Sequence, residues 1–169
     1  MISKKIILIG DFAVGKTSLI CRFVDNQFSD SYLSTIGVKI SKKEIPLEPK
    51  SIRGLIWDIE GGTPNKPVNT TYITGAHGCI LVADITRDET LEHIATYIDM
   101  VRHRDRHVPC VLVLNKSDLM SEEERDSILL EAKRQYDQSV EAFFLSSAKT
   151  GEGVERMFHM LAEMMLERG

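Results

Sequence analysis

Two short stretches of this chain carry residue types suited to binding rather than to packing. The first, Gly10-Asp11-Phe12-Ala13-Val14-Gly15-Lys16-Thr17, fits the pattern G-x-x-x-x-G-K-[ST]. It follows the apolar run Ile6-Ile7-Leu8-Ile9 and leads into a helical pattern from Lys16, with Leu19, Ile20, Phe23 and Val24 on one face. In that strand-to-helix setting, successive backbone N–H groups curl round phosphate oxygens and the positive end of the helix faces them. Asp11, Phe12, Ala13, Val14, Gly15, Lys16, Thr17 and Ser18 are therefore candidate phosphate-binding residues. The Lys16 ammonium suits β- and γ-phosphates and the Thr17 hydroxyl suits Mg²⁺. A glycine-bearing turn with a surface lysine would use the same residue types without a ligand; strand, spacing and helix together favour the phosphate loop.

A phosphate loop alone leaves kinase, ATPase and GTPase open. The second stretch, Asn115-Lys116-Ser117-Asp118, discriminates between them, because it follows the apolar run ending at Leu114. A carboxylate at Asp118 can accept from both N1–H and the N2 amino group of guanine, and adenine offers no such donor pair. Bound to adenine, the carboxylate would be left unpaired, and that penalty is the usual source of strong selectivity. A polar turn capping the next helix is the plainer reading of the same four residues.

Loops that converge on one ligand need strands that end on one edge. Ile36–Ile45 and Ile52–Ile56 read as two strands joined by a turn carrying Pro46 and Pro49. Cys79–Ala83, Val111–Leu114 and Ala142–Leu145 read as buried strands. Helical spacing appears at Leu91, Ile94, Ile98 and Val101, across Glu122–Tyr136, and in a closing helix burying Val154, Met157, Phe158, Leu161, Met164 and Met165. Strands alternating with helices predict an α/β fold: a six-stranded, mostly parallel sheet with one antiparallel edge strand and helices on both faces. Ligands of such sheets bind beyond the carboxyl ends of the strands. The unusual residues, Gly10–Thr17, Asp58–Gly61, Asn115–Asp118 and Ser147–Lys149, follow strands in this way.

At 169 residues and 43% hydrophobic, the chain can bury one core and is too short for two ordinary domains, so a single domain over 1–169 is expected. A net charge of −4 lacks the basic footprint of a nucleic-acid binder. The one basic cluster, Arg102 to His107, reads as a solvated helix end. Cys21, Cys79 and Cys110 lack metal-ligand spacing and read as buried thiols of a reducing cytoplasm. No apolar run reaches the length of a membrane span, no signal peptide is evident, and the final residues carry no cysteine for lipidation.

With these motifs in place, the chain resembles a Ras-superfamily small GTPase of the Rab type over nearly its whole length. Besides the two loops above, the matching residues are Thr35-Ile36-Gly37-Val38, Trp57-Asp58, Gly75-Ala76-His77-Gly78 and Ser147-Ala148-Lys149. The resemblance implies a P-loop small G domain that binds GTP or GDP with Mg²⁺ and hydrolyses GTP. It implies that Thr17, Thr35 and Asp58 serve the metal, and that Lys16, Thr35 and Gly61 serve the γ-phosphate. Phe28 packs on the guanine edge, the Ala148 N–H meets the guanine O6, and Lys116 and Lys149 flank the base, with Asn115 and Ser147 supporting the two base loops. Effectors and regulators would read switch I, about 28–40, and switch II, about 60–75.

The departures from that family pattern are as informative as the matches. Relatives carry Asp-x-Ala-Gly-Gln after the third strand, where this chain has Asp58-Ile59-Glu60-Gly61-Gly62. Gly62 stands at the water-orienting glutamine and has no side chain, so slow intrinsic hydrolysis is expected, with a gain on Gly62→Gln. Glu60 replaces alanine, and its carboxylate must turn away from a γ-phosphate, take up a proton or pair with a cation. Phe12 stands at a small residue, where a ring either crowds an incoming arginine finger or folds outward without effect. Pro64 and Pro67 bar an ordinary helix from switch II. Lys39 and Ile40 replace an acidic residue and phenylalanine in switch I. Two readings stay open at this stage, a slow GTP/GDP switch and a GTP-binding scaffold that hardly hydrolyses, with a P-loop kinase or ATPase as a remote third.

Overall fold

A computed structural model describes residues 1–31 and 34–169; Tyr32 and Leu33, inside the predicted switch I, lie outside the described residues. The strands are β1 (Ile2–Gly10), β2 (Val38–Ile45), β3 (Ile52–Ile59), β4 (Gly78–Asp84), β5 (Cys110–Asn115) and β6 (Ala142–Leu145). The helices are α1 (Lys16–Asp25), α2 (Asp88–Glu92), α3 (Ile94–Arg104), α4 (Glu122–Tyr136) and α5 (Val154–Glu167). Among the described residues the strands form a six-stranded sheet in the order β2-β3-β1-β4-β5-β6. Every neighbouring pair is parallel except β2 with β3, so the antiparallel strand lies at the edge as expected.

The alternation along β1 divides the core. Ile6 and Leu8 face α1 and α5, where they meet Leu19, Phe23, Phe158 and Leu161, while Ile7 and Ile9 face α3 and α4 with Tyr97, Ile98 and Val101. Phe23 and Phe158 stack with centroids 4.0 Å apart, joining α1 to α5. These two apolar layers hold rigid the strand ends from which the loops emerge. Since β1 lies between β3 and β4, its carboxyl end is where strand order reverses, and Gly10 begins the phosphate loop there.

Local sequence explains the boundaries. α4 begins at a capping box in which the Ser121 side chain accepts from the Glu124 N–H and the Glu124 side chain accepts in return. Its first turn carries three glutamates and its last turn Lys133 and Arg134, matching the helix dipole. α1 begins at Gly15, whose φ of 101° would strain any other residue, and a Cβ there would stand 2.4 Å from the Asn115 side-chain amide.

Four expectations need correction. The helix foreseen around Leu91–Val101 is two helices, α2 and α3, that meet at His93, because the five-residue α2 is a turn organised by Thr90 against Asp84 and Arg87. β2 starts at Val38 rather than Ile36, which is 85% exposed. Met164 is only half-buried, with Ala162 taking the inner position in α5. Cys21 is half-buried too; Cys79 and Cys110 are fully buried register partners on β4 and β5, where burial and the neighbouring thiol push Cys79 well above the usual thiol range. The basic cluster is the exposed helix end that its sequence suggests, with Arg102 alone half-buried. Arg102 donates to the carbonyls of Val108 and Ser139, and Arg104 to the hydroxyls of Thr70 and Thr74.

Candidate functional site

The loops after β1, β3, β5 and β6 enclose a cavity of about 380 Å³, within the range of small-molecule sites. At one end it is lined by Phe12, Ala13, Gly15, Lys16, Thr17, Ser18, Thr35, Asp58 and Gly61, and at the other by Phe28, Asn115, Lys116, Asp118, Ala148 and Lys149. Residues widely separated in sequence thus face one volume.

At the first end, the Thr17 hydroxyl donates to Asp58 Oδ2 at 2.6 Å and lies 2.7 Å from the Thr35 hydroxyl. Thr35 Oγ1 is also 3.1 Å from the same carboxylate oxygen. The other oxygen, Asp58 Oδ1, is buried and lacks a hydrogen-bond partner among the described residues. A buried carboxylate oxygen left unpaired is costly, so an unmet cation is the simplest reason for it. Two hydroxyls and one carboxylate are a hard oxygen set of the kind Mg²⁺ takes when phosphates supply further ligands. The three residues therefore fit the group the sequence implies.

Lys16 is 5% exposed and donates to the carbonyls of Gly10 at 3.3 Å and Asp11 at 3.1 Å. Burial brings its ammonium down from 10.5 to about 8, with Asp58 and Asp11 opposing the fall and Arg87 adding to it. Gly61 lies so close to the phosphate loop that a Cβ would stand 2.6 Å from Phe12 Cα, so only glycine allows this approach.

The second end is held by polar side chains that tie one loop to another. Asn115 donates to the Val14 carbonyl at 3.0 Å and accepts from Ser146 at 3.0 Å. Lys116, in left-handed backbone at φ 67°, reaches the Ala13 carbonyl at 3.0 Å and Asp84 at 2.9 Å. Asp118 accepts from Ser147 Oγ at 2.7 Å, and Arg22 donates to the carbonyls of Ala148 and Lys149 at 2.8 and 2.7 Å. The Asp118 carboxylate is thereby oriented while its residue remains exposed to the cavity.

Three of the expected site residues do not line the cavity. Val14 packs in the core, and Ser147 is buried behind Asp118, which it orients. Asp11 points away: one carboxylate oxygen meets His93 Nδ1 at 2.6 Å and the other accepts from the Tyr97 hydroxyl of α3. Burial first, and then this carboxylate, push the Tyr97 hydroxyl well above the usual tyrosine range, so it stays a donor. Conversely, Ser29, Asp30, Ser31, Ile59 and Leu119 line the cavity without having been singled out. Asp84 is a further omission. It sits at the carboxyl end of β4, where it receives Lys116 and Arg87, and hydrogen bonds from Thr86 and Lys116 outweigh burial and hold it below the ordinary aspartate range. A carboxylate closing a buried apolar strand is the signal that marks it.

The altered second phosphate loop is docked rather than loose. Gly62 donates to the Gly10 carbonyl at 3.2 Å and accepts from the Phe12 N–H at 2.9 Å, forming an isolated parallel bridge with Asp11. The Glu60 carboxylate pairs with Lys66 at 2.8 Å, one of the three outcomes its charge left open, and it does not line the cavity. Its N–H donates to the Gly37 carbonyl at 2.8 Å, so one residue links the loop after β3 to the segment that leads into β2. Phe12 lines the cavity, and its carbonyl accepts from Arg87 at 2.9 Å. Beyond Gly62, Thr63 and Lys66 pair across a tight turn and Val68 is buried; the short 3₁₀ turn Thr70–Ile73 is the only helical stretch between 60 and 75 among the described residues.

Comparison with known proteins places this geometry in context. A family model described as the Ras family matches residues 5–167. Ras-related protein RABA4b of Arabidopsis thaliana is 38% identical over 159 residues, covering 93% of this chain and 70% of its own length. Ras-related protein Rab-1 of Theileria annulata is 37% identical over 166 residues, covering 97% and 74%. Ras-related protein Rab11D of Nicotiana tabacum is 36% identical over 156 residues, covering 91% and 69%.

Proposed function

Because this chain belongs to the Ras family, we propose that residues 1–169 form one small G domain that holds GTP or GDP in the cavity and works as a slow, Mg²⁺-dependent switch. The observation that carries this reading is the meeting of Lys16, Thr17, Thr35 and Asp58 at one end of a cavity whose other end presents Asp118. Thr17, Thr35 and Asp58 would hold Mg²⁺, which supplies charge neutralisation across the β- and γ-phosphates. Lys16 pairs with the same phosphates, the Gly61 N–H approaches the γ-phosphate, and Asp118 accepts from the guanine edge. Phe28 and Ala148 border the base, and Asn115, Lys116, Ser147 and Lys149 hold its two loops together.

Thr35 and Gly61 sit on the two switch segments, so loss of the γ-phosphate releases both. Effectors and regulators would read that state through residues 28–40 and 60–75, where exposed Ile36 and Ile40 offer apolar contact. We assign the protein to the cytoplasm on its three free thiols; no described helix is long and apolar enough to cross a membrane.

Slow chemistry follows from Gly62, which offers no group to orient water. Single-turnover hydrolysis of bound GTP with Mg²⁺ and no partner should run below about 10⁻⁴ s⁻¹, slower than unaided Ras. A rate at or above that figure would contradict impaired water activation. Retention of Lys16, Thr17, Thr35, Asp58 and Gly61 supports a switch over a scaffold, since each serves the γ-phosphate or the metal.

The pH dependence has a definite sign. With Lys16 at about 8 in the fold and 10.5 when exposed, the unfolded chain binds more protons within that window, so ligand-free stability rises as pH climbs through it. Phosphate oxygens beside the ammonium would restore its proton, so binding takes up protons there and affinity falls with rising pH. Calorimetry of GDP binding at about pH 8.5 in two buffers of different ionisation enthalpy should show that uptake. Heats independent of buffer would contradict it.

A further inference from the structure

Position 62 is crowded from outside its own loop. A Cβ built on Gly62 would stand 2.5 Å from the Tyr97 hydroxyl, 3.3 Å from Val68 Cγ2 and 3.5 Å from Tyr97 Cζ. Only the first of these is an overlap that no side chain sustains. The hydroxyl has little freedom to give way, because it lies on the axis of the ring and ring rotation leaves it in place. The residue is 5% exposed within the apolar layer of α3, and the hydroxyl is bound to Asp11, which is gripped in turn by His93. Gly62 meanwhile is seated on the phosphate loop by backbone alone, through the Gly10 carbonyl and the Phe12 N–H.

We propose that Tyr97 is a positioning residue for turnover of the bound nucleotide: its hydroxyl, fixed by Asp11, reserves position 62 for glycine and so excludes any side chain that would orient the attacking water. This rests on the reading of the cavity as a GTP site, and it deepens that reading by making slow turnover a property of α3 as well as of the loop. It also changes what substitution at 62 should do. Gly62→Gln alone must displace either Tyr97 from Asp11 or the loop from Gly10 and Phe12, so glutamine does not reach a water-orienting position. Tyr97→Phe removes the one overlapping atom and leaves a tight contact with Val68 Cγ2 at 3.3 Å, which a shift of a few tenths of an ångström relieves, and an ordinary one with the ring at 3.5 Å.

The test compares wild type, Gly62→Gln, Tyr97→Phe and the double variant by thermal midpoint and by single-turnover hydrolysis of bound GTP. Gly62→Gln should lower the midpoint by about 3–10 °C in the native background and by clearly less beside Tyr97→Phe. Adding glutamine to Tyr97→Phe should raise turnover at least about tenfold, while adding it to the native chain gives no such gain. Equal gains in both backgrounds, or midpoint changes that simply add, would overturn the proposal. Gly62→Ala adds only the Cβ and gives the same midpoint coupling should the glutamine variants not fold. If none of the four proteins holds GTP, the proposed function fails and the turnover role with it, while the midpoint coupling still decides whether Tyr97 reserves position 62.

Discussion

Asp118→Ala should weaken GDP binding by about 10²–10⁴-fold, because the guanine N1–H and N2 amino group lose two charge-assisted hydrogen bonds of about 1.5–3 kcal/mol each. The fold should be untouched. Asp118 is exposed to the cavity, and its partner Ser147 keeps a bond to the Thr150 N–H. Adenine nucleotides never use the carboxylate in this account, so their weak affinity should stay unchanged or improve slightly. Titration of the variant with GDP and ADP checks both arms. An undiminished preference for guanine would move base recognition away from Asp118.

Lys16→Met should have an effect of comparable size at the other end of the cavity. Methionine keeps most of the apolar stem but removes the ammonium, and with it two charge-assisted contacts to the β- and γ-phosphates. Affinity for GTP should fall by about 10²–10⁴-fold. The ligand-free fold should survive, since the native ammonium is itself held against its desolvation cost at about 8. Far-UV dichroism reports the fold and displacement of a fluorescent guanine nucleotide reports the affinity. The proton uptake on GDP binding should also disappear in this variant, which separates loss of the titrating group from a general loosening of the loop.

Much of this arrangement was legible because its determinants are local. The phosphate loop is a contiguous stretch whose glycines, lysine and threonine do their work at fixed spacing. The helix Glu122–Tyr136 and the strand Ala142–Leu145 were bounded as observed, since a capping box and a short apolar run mark their ends. The antiparallel edge followed from two adjacent strands joined by a short turn. The contacts that could not be read are those between loops distant in sequence. Asp11 turns to His93 and Tyr97, 82 and 86 residues away, because sheet order places α3 beside the phosphate loop. The same placement turns Gly62 from a simple deletion of glutamine into a packing requirement.

Glu60 shows the intermediate case. Charge alone left it three outcomes, turning away, taking up a proton or pairing with a cation, and the choice depended on the tight turn that carries Lys66 back towards it. That turn is fixed by Thr63 and Lys66 pairing across Pro64 and Asn65, and the prolines do keep the segment from becoming an α-helix. Through the Glu60 N–H on Gly37 and the Gly62 bridge to Asp11, the segments around Gly37 and Glu60–Gly62 are connected to the phosphate loop by backbone hydrogen bonds.

The most direct test of the central claim is calorimetric titration of the nucleotide-free protein with GDP and with ADP, each in the presence of Mg²⁺. GDP should bind at least about 10³-fold more tightly than ADP, reflecting the Asp118 acceptor at one end of the cavity. Its affinity should fall when Mg²⁺ is chelated, reflecting Thr17 and Asp58 at the other. Equal affinities for the two nucleotides, or no binding of either, would contradict the account at its foundation.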